Sequence, residues 1–277
     1  MLLPHPLTGE RFDSPVPPGT GWPEDPAHAS TPVARKAKDV VRLSAKADSL
    51  AELEAGVSVC RACDRLVAWR EEVAVGKRAS FADQPYWGRP IAGWGDPAPG
   101  LLIAGLAPAA NGGNRTGRVF TGDRSGDWLF ASLYRIGLAN QPTSEHAGDG
   151  LRLIGARMIA AVRCAPPANK PTPIERDTCA PWFRAELAMV LPTVQAIVCL
   201  GKFGFDATLG GLLSIGYDVP RPRPRFGHAV EYPIDGPYGV VTVIGCFHPS
   251  QQNTFTGKLT EAMTDTVLTR ARDLAGL

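Results

Sequence analysis

The residues of this sequence that could do chemistry begin in the segment 101–123, which reads LLIAGLAPAANGGNRTGRVFTGD. Its apolar start predicts a buried strand, and a loop rich in Gly and Asn then leads into a helical pattern near Asp123. Such a loop presents backbone N–H groups and a helix N-terminus at the carboxyl edge of a sheet, where α/β folds bind ligands. Arg115 and Arg118 add positive charge, and Phe120 offers a flat face. These groups suit a nucleotide site, although a Gly-rich loop alone is usually only a turn.

Two later segments place polar groups directly after predicted strands. His248 lies in Phe-His-Pro-Ser after the last strand, where a histidine can be a structural hydrogen-bonding residue or a catalyst. Asn169 follows the second strand, and its amide could read the O4 and N3–H of a pyrimidine, or it could be a plain turn residue. Since parallel strands open their cleft at the carboxyl edge, both residues are expected at the same edge as the first loop.

Four of the six cysteines have a spacing that could bind metal. Cys60 and Cys63 form a Cys-x-x-Cys, Cys164 ends the second predicted strand, and Cys179 lies fifteen positions later. These residues could converge into a four-thiolate site, and spacing alone does not choose between zinc and iron–sulfur. Alternatively, the two distant cysteines are buried small hydrophobic residues. The remaining two lie in apolar strands and are interpreted as core: Cys199 and Cys246.

The elements that must position these groups alternate regularly from residue 101 onward. Apolar runs predict four strands, at 101–104, 156–162, 196–200 and 240–245. Helical patterns lie between and after them, at 125–138, 174–191, 203–213 and 259–274. Strands separated by helices imply a parallel sheet covered on both faces. The prediction is a three-layer α/β/α sandwich with a central, mostly parallel four-stranded sheet.

The N-terminal part has a different composition. Residues 1–45 are rich in Pro, Gly, Ser and Asp with little periodicity, which predicts an irregular or disordered arm. Ser49 and Glu52 form a capping box that opens a short helix. The chain has 277 residues, of which 44% are apolar, enough for one substantial core. We therefore expect residues 46–277 to form a single domain, preceded by an irregular and helical extension.

Charge and hydropathy narrow the class of protein. The formal net charge is only +2, so no global basic field indicates nucleic-acid binding, although arginines cluster locally. No run approaches the roughly 20 apolar residues of a membrane helix, and Pro4 interrupts any secretory signal at the start. We expect a cytoplasmic protein without membrane contact. In a reducing compartment, six cysteines favour metal binding over disulfides.

In combination, these motifs resemble the type-b (family 5) uracil-DNA glycosylases, the iron–sulfur members of the uracil-DNA glycosylase superfamily. The resemblance covers roughly residues 60–277 and rests on five strings in the same order: Gly-Leu-Ala-Pro-Ala-Ala at 105–110, Gly-Gly-Asn-Arg-Thr-Gly-Arg at 112–118, Phe-Thr-Gly-Asp at 120–123, Arg-Cys-Ala-Pro-Pro at 163–167 and His-Pro-Ser at 248–250. It implies a monofunctional glycosylase that flips uracil out of DNA and leaves an abasic site in base excision repair.

The resemblance also implies roles for residues of this chain. It implies a structural 4Fe–4S cluster held by four residues: Cys60, Cys63, Cys164 and Cys179. It places five residues around the extruded base, with the phenylalanine stacked on the ring and the asparagine on its edge: Gly105, Ala107, Ala109, Phe120 and Asn169. Asp123 would orient water or stabilise the sugar cation, and His248 would face the base O2 and the neighbouring phosphate. Contacts to DNA would come from Arg115, Arg118, Ser250, Gln252, Asn253 and Lys258.

Some departures from the family pattern leave alternatives open. Ala109 stands where relatives carry Asp or Asn, so the pocket could be roomier and admit hypoxanthine or etheno bases. Gln251 and Gln252 occupy the loop where relatives often place an apolar wedge, so the filling of the gap left by the base is open. The expected partner is double-stranded DNA containing uracil or related lesions, bound by a monomer associated with the nucleoid. The competing classes are a non-catalytic iron–sulfur or zinc nucleic-acid-binding module and an electron-transfer protein.

Overall fold

The computed structural model of the chain describes residues 2–277. Its strands are β1 (Leu3–Pro4), β2 (Arg11–Phe12), β3 (Trp94–Gly95), β4 (Leu101–Gly105), β5 (Ala156–Ala160), β6 (Ala196–Leu200), β7 (Glu231–Ile234) and β8 (Val241–Cys246). Its helices are α1 (Ala37–Ser44), α2 (Leu50–Ser58), α3 (Asp64–Gly76), α4 (Gly113–Thr116), α5 (Arg124–Arg135), α6 (Pro173–Val190), α7 (Lys202–Ile215), α8 (Gln251–Phe255) and α9 (Glu261–Leu274). Two short 3₁₀ turns span Ala79–Phe81 and Pro167–Asn169. Within these residues, no helix is both long and apolar enough to cross a bilayer.

A six-stranded sheet lies at the centre, in the order β3-β5-β4-β6-β8-β7. The four inner strands run parallel to one another, and the two edge strands are antiparallel to their neighbours. Ile103 in β4 lies opposite Met158 in β5 and Val198 in β6, so apolar side chains are in register across the sheet. The carboxyl ends of the parallel strands therefore meet at one edge, where the polar loops begin.

The inner strands are the four that the apolar runs predict, so the α/β class and the parallel core are confirmed. The predicted strand number is corrected from four to six, because β3 and β7 complete the edges. β3 has only two residues, and β7 contains Pro233 in a half-exposed segment, so neither has the apolar run used to recognise strands. Proline is tolerated there because an edge strand need not donate every backbone hydrogen bond.

Helices cover both faces of the sheet, and the predicted three-layer sandwich is confirmed. On one face α5 packs on α9, and on the other α6 packs on α7. The buried residues that these helices contribute to the first face are Leu129, Leu133, Val267 and Leu268. Those that they contribute to the second face are Phe183, Leu187, Leu209 and Leu212. Burial of such side chains is the main source of stability in a fold of this kind.

Residues 2–45 are irregular for most of their length and pack on the rest of the molecule. β1 and β2 pair as a hairpin, and α1 packs on α6. Phe12, Val16 and Trp22 are buried in the core of the first sheet face. Buried side chains, mainly aromatic, therefore attach the segment to the core. The Pro and Gly content that predicts an irregular arm gives no indication of this attachment.

Candidate active site

The loop between β4 and α5 folds back so that one of its side chains contacts the end of β4. Phe120 is 8% exposed, and its ring lies so close to Gly105 that a Cβ at that position would be 2.6 Å from the phenylalanine Cζ. Only glycine leaves room for the ring there. Phe120 also has a φ of 54°, a left-handed backbone conformation that is unfavourable for a bulky side chain. The close contact and the strained backbone together fix the phenylalanine beside the strand end.

Asp123 has two separate environments, one for each carboxylate oxygen. As the N-cap of α5, its Oδ1 accepts hydrogen bonds from the backbone N–H groups of Ser125 at 2.9 Å and Gly126 at 3.0 Å. Its Oδ2 lies over Gly112, where a Cβ would overlap it. The helix therefore holds one oxygen in a fixed orientation, while the second lies in the wall of a cavity.

That cavity has a volume of about 780 Å³ and lies where the loops after β4, β5 and β8 meet. It brings together four of the predicted site residues, namely Ala109, Arg115, Asp123 and Asn169. Gln251, the first residue of α8, also lines it. Among the residues predicted to bind the base or to act in catalysis, four are not in its lining: Gly105, Ala107, Phe120 and His248. Of these, Ala107 packs beside Leu66 and Cys164, on the side of the loop that faces the cysteines.

Asn169 reaches the cavity through strained backbone. It ends the 3₁₀ turn after β5, and both Asn169 and Ala168 have left-handed φ angles, of 55° and 52°. Asparagine tolerates this conformation, whereas alanine and phenylalanine adopt it at a cost of order 1–3 kcal/mol each. Phe120 is a third such residue in the same region. Strained backbone of this kind clusters at functional sites in many proteins, which supports this edge as the site.

His248 lies beside Phe120, and their ring centroids are 6.1 Å apart with 35° between the ring planes. The side-chain amide of Asn253 donates to the His248 carbonyl at 2.9 Å, which fixes the histidine backbone. Burial lowers the pKa of His248, and the carboxylate of Asp123 opposes this shift. The imidazole is therefore neutral at pH 7, and it is close enough to Asp123 for the carboxylate charge to affect its pKa. Asp123 thus links the large cavity to the Phe120–His248 pair.

The two arginines predicted to bind phosphate are structural in this geometry. Arg118 is 2% exposed, and its Nη2 donates to Asp149 Oδ2 at 2.6 Å, so its charge is already paired inside the protein. Arg115 is 5% exposed and donates to the carbonyls of Asn111 and Gly122, which holds the loop in shape. Burial lowers the pKa of Arg115. The contact of Arg118 with DNA stays a prediction, which its burial and its pairing with Asp149 do not favour.

The remaining predicted DNA contacts lie on and after α8. Ser250 is the N-cap of this helix, and Asn253 is used to hold His248. Gln252 and Lys258 are exposed, and the lysine Nζ lies 4.9 Å from the ring centroid of Phe247. An exposed arginine outside the predicted set, Arg124, lines the cavity and lies 4.7 Å from the ring centroid of Phe255. The accessible basic groups of this edge therefore include Arg124, Lys258 and Arg78, which is exposed and also lines the cavity, whereas Arg115 and Arg118 are buried.

The four predicted metal ligands surround a second, much smaller cavity of about 20 Å³, which we call the cysteine cavity: Cys60, Cys63, Cys164 and Cys179. Cys60 and Cys63 lie in the segment that leads into α3, Cys164 lies in the loop after β5, and Cys179 lies within α6. Arg70 Nη1 donates to Cys164 Sγ at 2.9 Å, and the Arg163 backbone N–H donates to Cys179 Sγ at 3.4 Å. Burial first, and then the neighbouring Cys164 sulfur, raise the pKa of Cys179, while the positive charge and the backbone N–H of Arg163 oppose this shift.

The donor set of the cysteine cavity suits a soft metal centre. Burial first, and then the neighbouring sulfur of Cys164, raise the pKa of Cys63 to about 12. Burial raises the pKa of Cys60 in the same way. Four adjacent thiols therefore need positive charge before they can all ionise, and a metal centre supplies it. Within residues 2–277, no three His, Cys, Asp or Glu side chains are placed to hold a single metal ion.

Several residues of the large cavity lack a local sequence signal. Trp69 from α3, Gln84 from the following loop and Glu145 from the loop before β5 all line it. So do Pro6 and Leu7, which lie near the N-terminus. Their positions depend on packing between distant segments, so a pattern search along the chain does not find them.

Comparison with known proteins identifies relatives over most of the chain. The family model of the uracil DNA glycosylase superfamily matches residues 92–272. A type-5 uracil-DNA glycosylase of Mycobacterium bovis is 56% identical over 273 residues, which are 99% of each chain. The protein of the same name from Thermus thermophilus is 47% identical over 221 residues, 80% of this chain and 96% of that protein. A third, from Pyrobaculum aerophilum, is 40% identical over 217 residues, 78% of this chain and 89% of that protein.

Proposed function

The chain belongs to the uracil DNA glycosylase superfamily, and we infer that it hydrolyses the N-glycosidic bond of uracil in DNA. It is thus a DNA-repair hydrolase that acts on N-glycosyl bonds. The observation that supports this most is the meeting of a carboxylate, an amide and strained loops in one cavity at the sheet edge, in a chain 56% identical to a named uracil-DNA glycosylase. The reaction leaves an abasic site.

The proposed mechanism assigns charge stabilisation to Asp123. Breaking the bond between uracil N1 and C1′ builds positive charge on the sugar and negative charge on the base. The Asp123 Oδ2, left free by the helix cap, would lie against the sugar and stabilise the cation or orient water. Because Oδ1 is held by two backbone N–H groups, little reorganisation is needed in the reaction.

The base would be held by the groups around Phe120. The extruded ring would stack on Phe120, which contributes about 1–3 kcal/mol by stacking and makes no demand on base identity. Asn169 would donate to and accept from the base edge, which selects a pyrimidine with O4 and N3–H. Neutral His248 would donate a hydrogen bond toward the base O2 as negative charge develops there.

Substrate range is a finer part of the proposal. Ala109 lines the cavity with a methyl group only, so purine-sized lesions such as hypoxanthine, and etheno adducts, have room beside it. We propose that uracil is the main substrate and that these bases are processed more slowly. A mispaired uracil costs less to extrude than a paired one, so U·G should be preferred to U·A.

The cysteine cavity supports a 4Fe–4S cluster on Cys60, Cys63, Cys164 and Cys179. The four thiols line one cavity, and four cysteine thiolates are a ligand set that both zinc and a 4Fe–4S cluster accept, so the choice of the cluster rests on the family resemblance. When bound, such a cluster supplies a covalent crosslink between α3, the end of β5 and α6. Arg70 would neutralise part of its negative charge through Cys164. Since glycosidic hydrolysis transfers no electrons, the proposed role is structural.

The proposed setting follows from the substrate. We propose that the protein acts as a monomer on double-stranded DNA in the cytoplasm, at the nucleoid. Residues 46–277 would be the catalytic domain, and residues 1–45 an arm attached to it. Gln252, Lys258 and Arg124 would contact phosphates beside the lesion, since all three are exposed and Arg124 lines the cavity.

The function is tested with end-labelled duplexes that contain one U·G pair, one U·A pair or an unmodified T·A pair. After incubation, alkali cleaves any abasic site. We expect strand cleavage at the uracil positions and none at thymine. Intact strands under low salt, with the protein still bound to the duplex, would instead indicate the non-catalytic nucleic-acid-binding module.

A further inference from the structure

The N-terminal hairpin of β1 and β2 reaches the cavity that contains Asp123. Pro6 and Leu7, in the turn between the two strands, line this cavity together with residues of the sheet edge. The family model of the superfamily matches only residues 92–272, so the hairpin lies outside that model, although the Mycobacterium bovis relative matches 99% of the chain. A segment distant in sequence thus forms part of the wall of the proposed substrate site.

The hairpin turn is held rigidly by His5. Its backbone N–H donates to the Glu10 carbonyl at 2.7 Å, and its own carbonyl accepts from Gly9 at 2.9 Å. The N–H groups of Leu7 and Thr8 both lie 3.3 Å from the His5 Nδ1, which accepts from them. Four hydrogen bonds therefore fix the backbone of a short turn, and with it the position of Leu7.

His5 in turn anchors the hairpin to the cavity wall. It is 1% exposed, and its ring packs edge-on against Trp22 at 4.8 Å and His146 at 4.2 Å between centroids. His146 belongs to a loop that itself lines the cavity, together with Glu145. The contacts among these rings thus connect the turn to the loop that contains His146. The hairpin is therefore held in place by more than the pairing of its two short strands.

Leu7 is the unusual member of this arrangement. Its side chain is 45% exposed although it belongs to a fixed turn at the cavity. An exposed leucine alone is ordinary, but here hydrogen bonds hold its backbone at the wall of the cavity that would receive the extruded nucleotide. An apolar side chain that is already ordered loses little entropy when it contacts a partner.

We propose that Leu7 is an apolar wedge that enters the base stack at the gap left by the extruded nucleotide. The inference rests on the proposed function, since it requires a nucleotide to leave the duplex. Proteins that deform DNA commonly insert leucine or a similar side chain between base steps, where it replaces lost stacking contacts. Gln251, which also lines the cavity, is polar and suits a phosphate or base-edge contact rather than this role.

The test compares Leu7→Ala with Leu2→Ala. Leu2 is 47% exposed at the start of the chain next to the same hairpin and does not line the cavity, so it is a matched control. Single-turnover excision is measured on a U·A duplex and on a single strand with the same uracil. We expect Leu7→Ala to slow excision roughly tenfold on the duplex and to leave the single strand unchanged, because only a duplex leaves a gap to fill. Leu7→Met should restore most of the rate.

A second measurement separates a wedge from a simple wall residue. A 2-aminopurine placed opposite an abasic analogue reports unstacking by its fluorescence, and Leu7→Ala should lose the signal that wild type and Leu2→Ala produce. The proposal is overturned if Leu7→Ala matches Leu2→Ala on the duplex, or if it slows single-strand excision equally. If the wild type releases no uracil from either substrate, the proposed function itself fails. If the wild type releases uracil and Leu7→Ala behaves like Leu2→Ala, only the wedge proposal fails.

Discussion

The cysteine cavity and the cavity around Asp123 are neighbours built from the same elements, yet they differ in almost every physical property. The first has a volume of about 20 Å³ and is walled by helices and the end of β5. The second has a volume of about 780 Å³ and is walled mainly by loops. Helix α3 serves both, because Trp69 lines the large cavity while Arg70 contacts Cys164 in the small one.

The difference shows how stability and strain are distributed. The large cavity has left-handed backbone at Ala168 and Asn169, and Phe120 lies beside it in the same conformation. Its loops would relax if nothing held their ends. The end of β5 leads through Cys164 to Asn169 within a few residues, so a crosslink at the cysteines restrains the loop that presents the amide. We infer that the closed cavity is the support and the open one is the site of chemistry.

The largest expected effect comes from replacing one of the four cysteines of the cysteine cavity. If the proposed cluster is present, Cys164→Ser should abolish its visible absorbance and lower the free energy of unfolding by more than about 4 kcal/mol. Cys199→Ser is the control, since Cys199 is equally buried but lies in β6 beside Thr208. Its absorbance should be unchanged. Equal behaviour of the two variants in absorbance and denaturant melts would show that the cysteine cavity is ordinary core.

Asp123→Asn should change the excision rate without changing the stability of the protein. The excision rate should fall about 10²–10⁴-fold, because the carboxylate charge next to the sugar is lost. The free energy of unfolding should hardly change, since asparagine caps a helix as well as aspartate does. Asp123→Ala should lose activity and also about 1 kcal/mol of stability through the missing cap. A fully active Asp123→Asn would remove this carboxylate from the mechanism.

As the pH falls, the residues around the Asp123 cavity should lose structure before those around the cysteine cavity. Burial lowers the pKa of His5 to about 4 and that of His146 to about 3, with further lowering of the second by His5, Arg115 and Arg118. Unfolded histidine has a pKa near 6.5, so the stability that these rings contribute is complete above pH 6.5 and is lost as the pH falls toward 4.

Hydrogen exchange measures this order directly. Amides of residues 2–12 should exchange faster between pH 6 and pH 4, after correction for intrinsic rates, while cluster absorbance stays constant. His146→Phe keeps a flat ring that does not titrate, so its acid sensitivity should be smaller. Simultaneous loss of both signals would mean that the two cavities open as one unit.

The smallest effect concerns phosphate contacts. Arg124→Gln should weaken binding to every duplex alike and reduce the slope of log K against log salt by about one, since one counterion fewer is released. Arg270→Gln is the control, because Arg270 is also exposed but pairs with Glu231 away from the cavity. Titrations at several salt concentrations measure both. An unchanged slope for Arg124→Gln would exclude this arginine from the DNA interface.

How much the sequence could predict depended on the range of the interactions. The inner strands β4, β5, β6 and β8 have apolar runs, so their positions were predicted within two residues. Asp123 and Asn169 follow strand ends, and topology alone brings such residues to one edge. Arg118 was assigned to DNA because its partner Asp149 lies 31 residues away, where no local pattern reveals an ion pair. Leu7 was missed for the same reason.

The most direct test of the account is a structure of the protein with a duplex containing a 2′-fluoro-arabino-uridine, whose glycosidic bond resists cleavage. We predict that the uracil ring stacks on Phe120, that its edge hydrogen-bonds to the Asn169 amide, and that Asp123 Oδ2 lies beside C1′. A uracil bound in another cavity, or one that contacts Phe120, Asn169 and His248 only one at a time, would contradict the account.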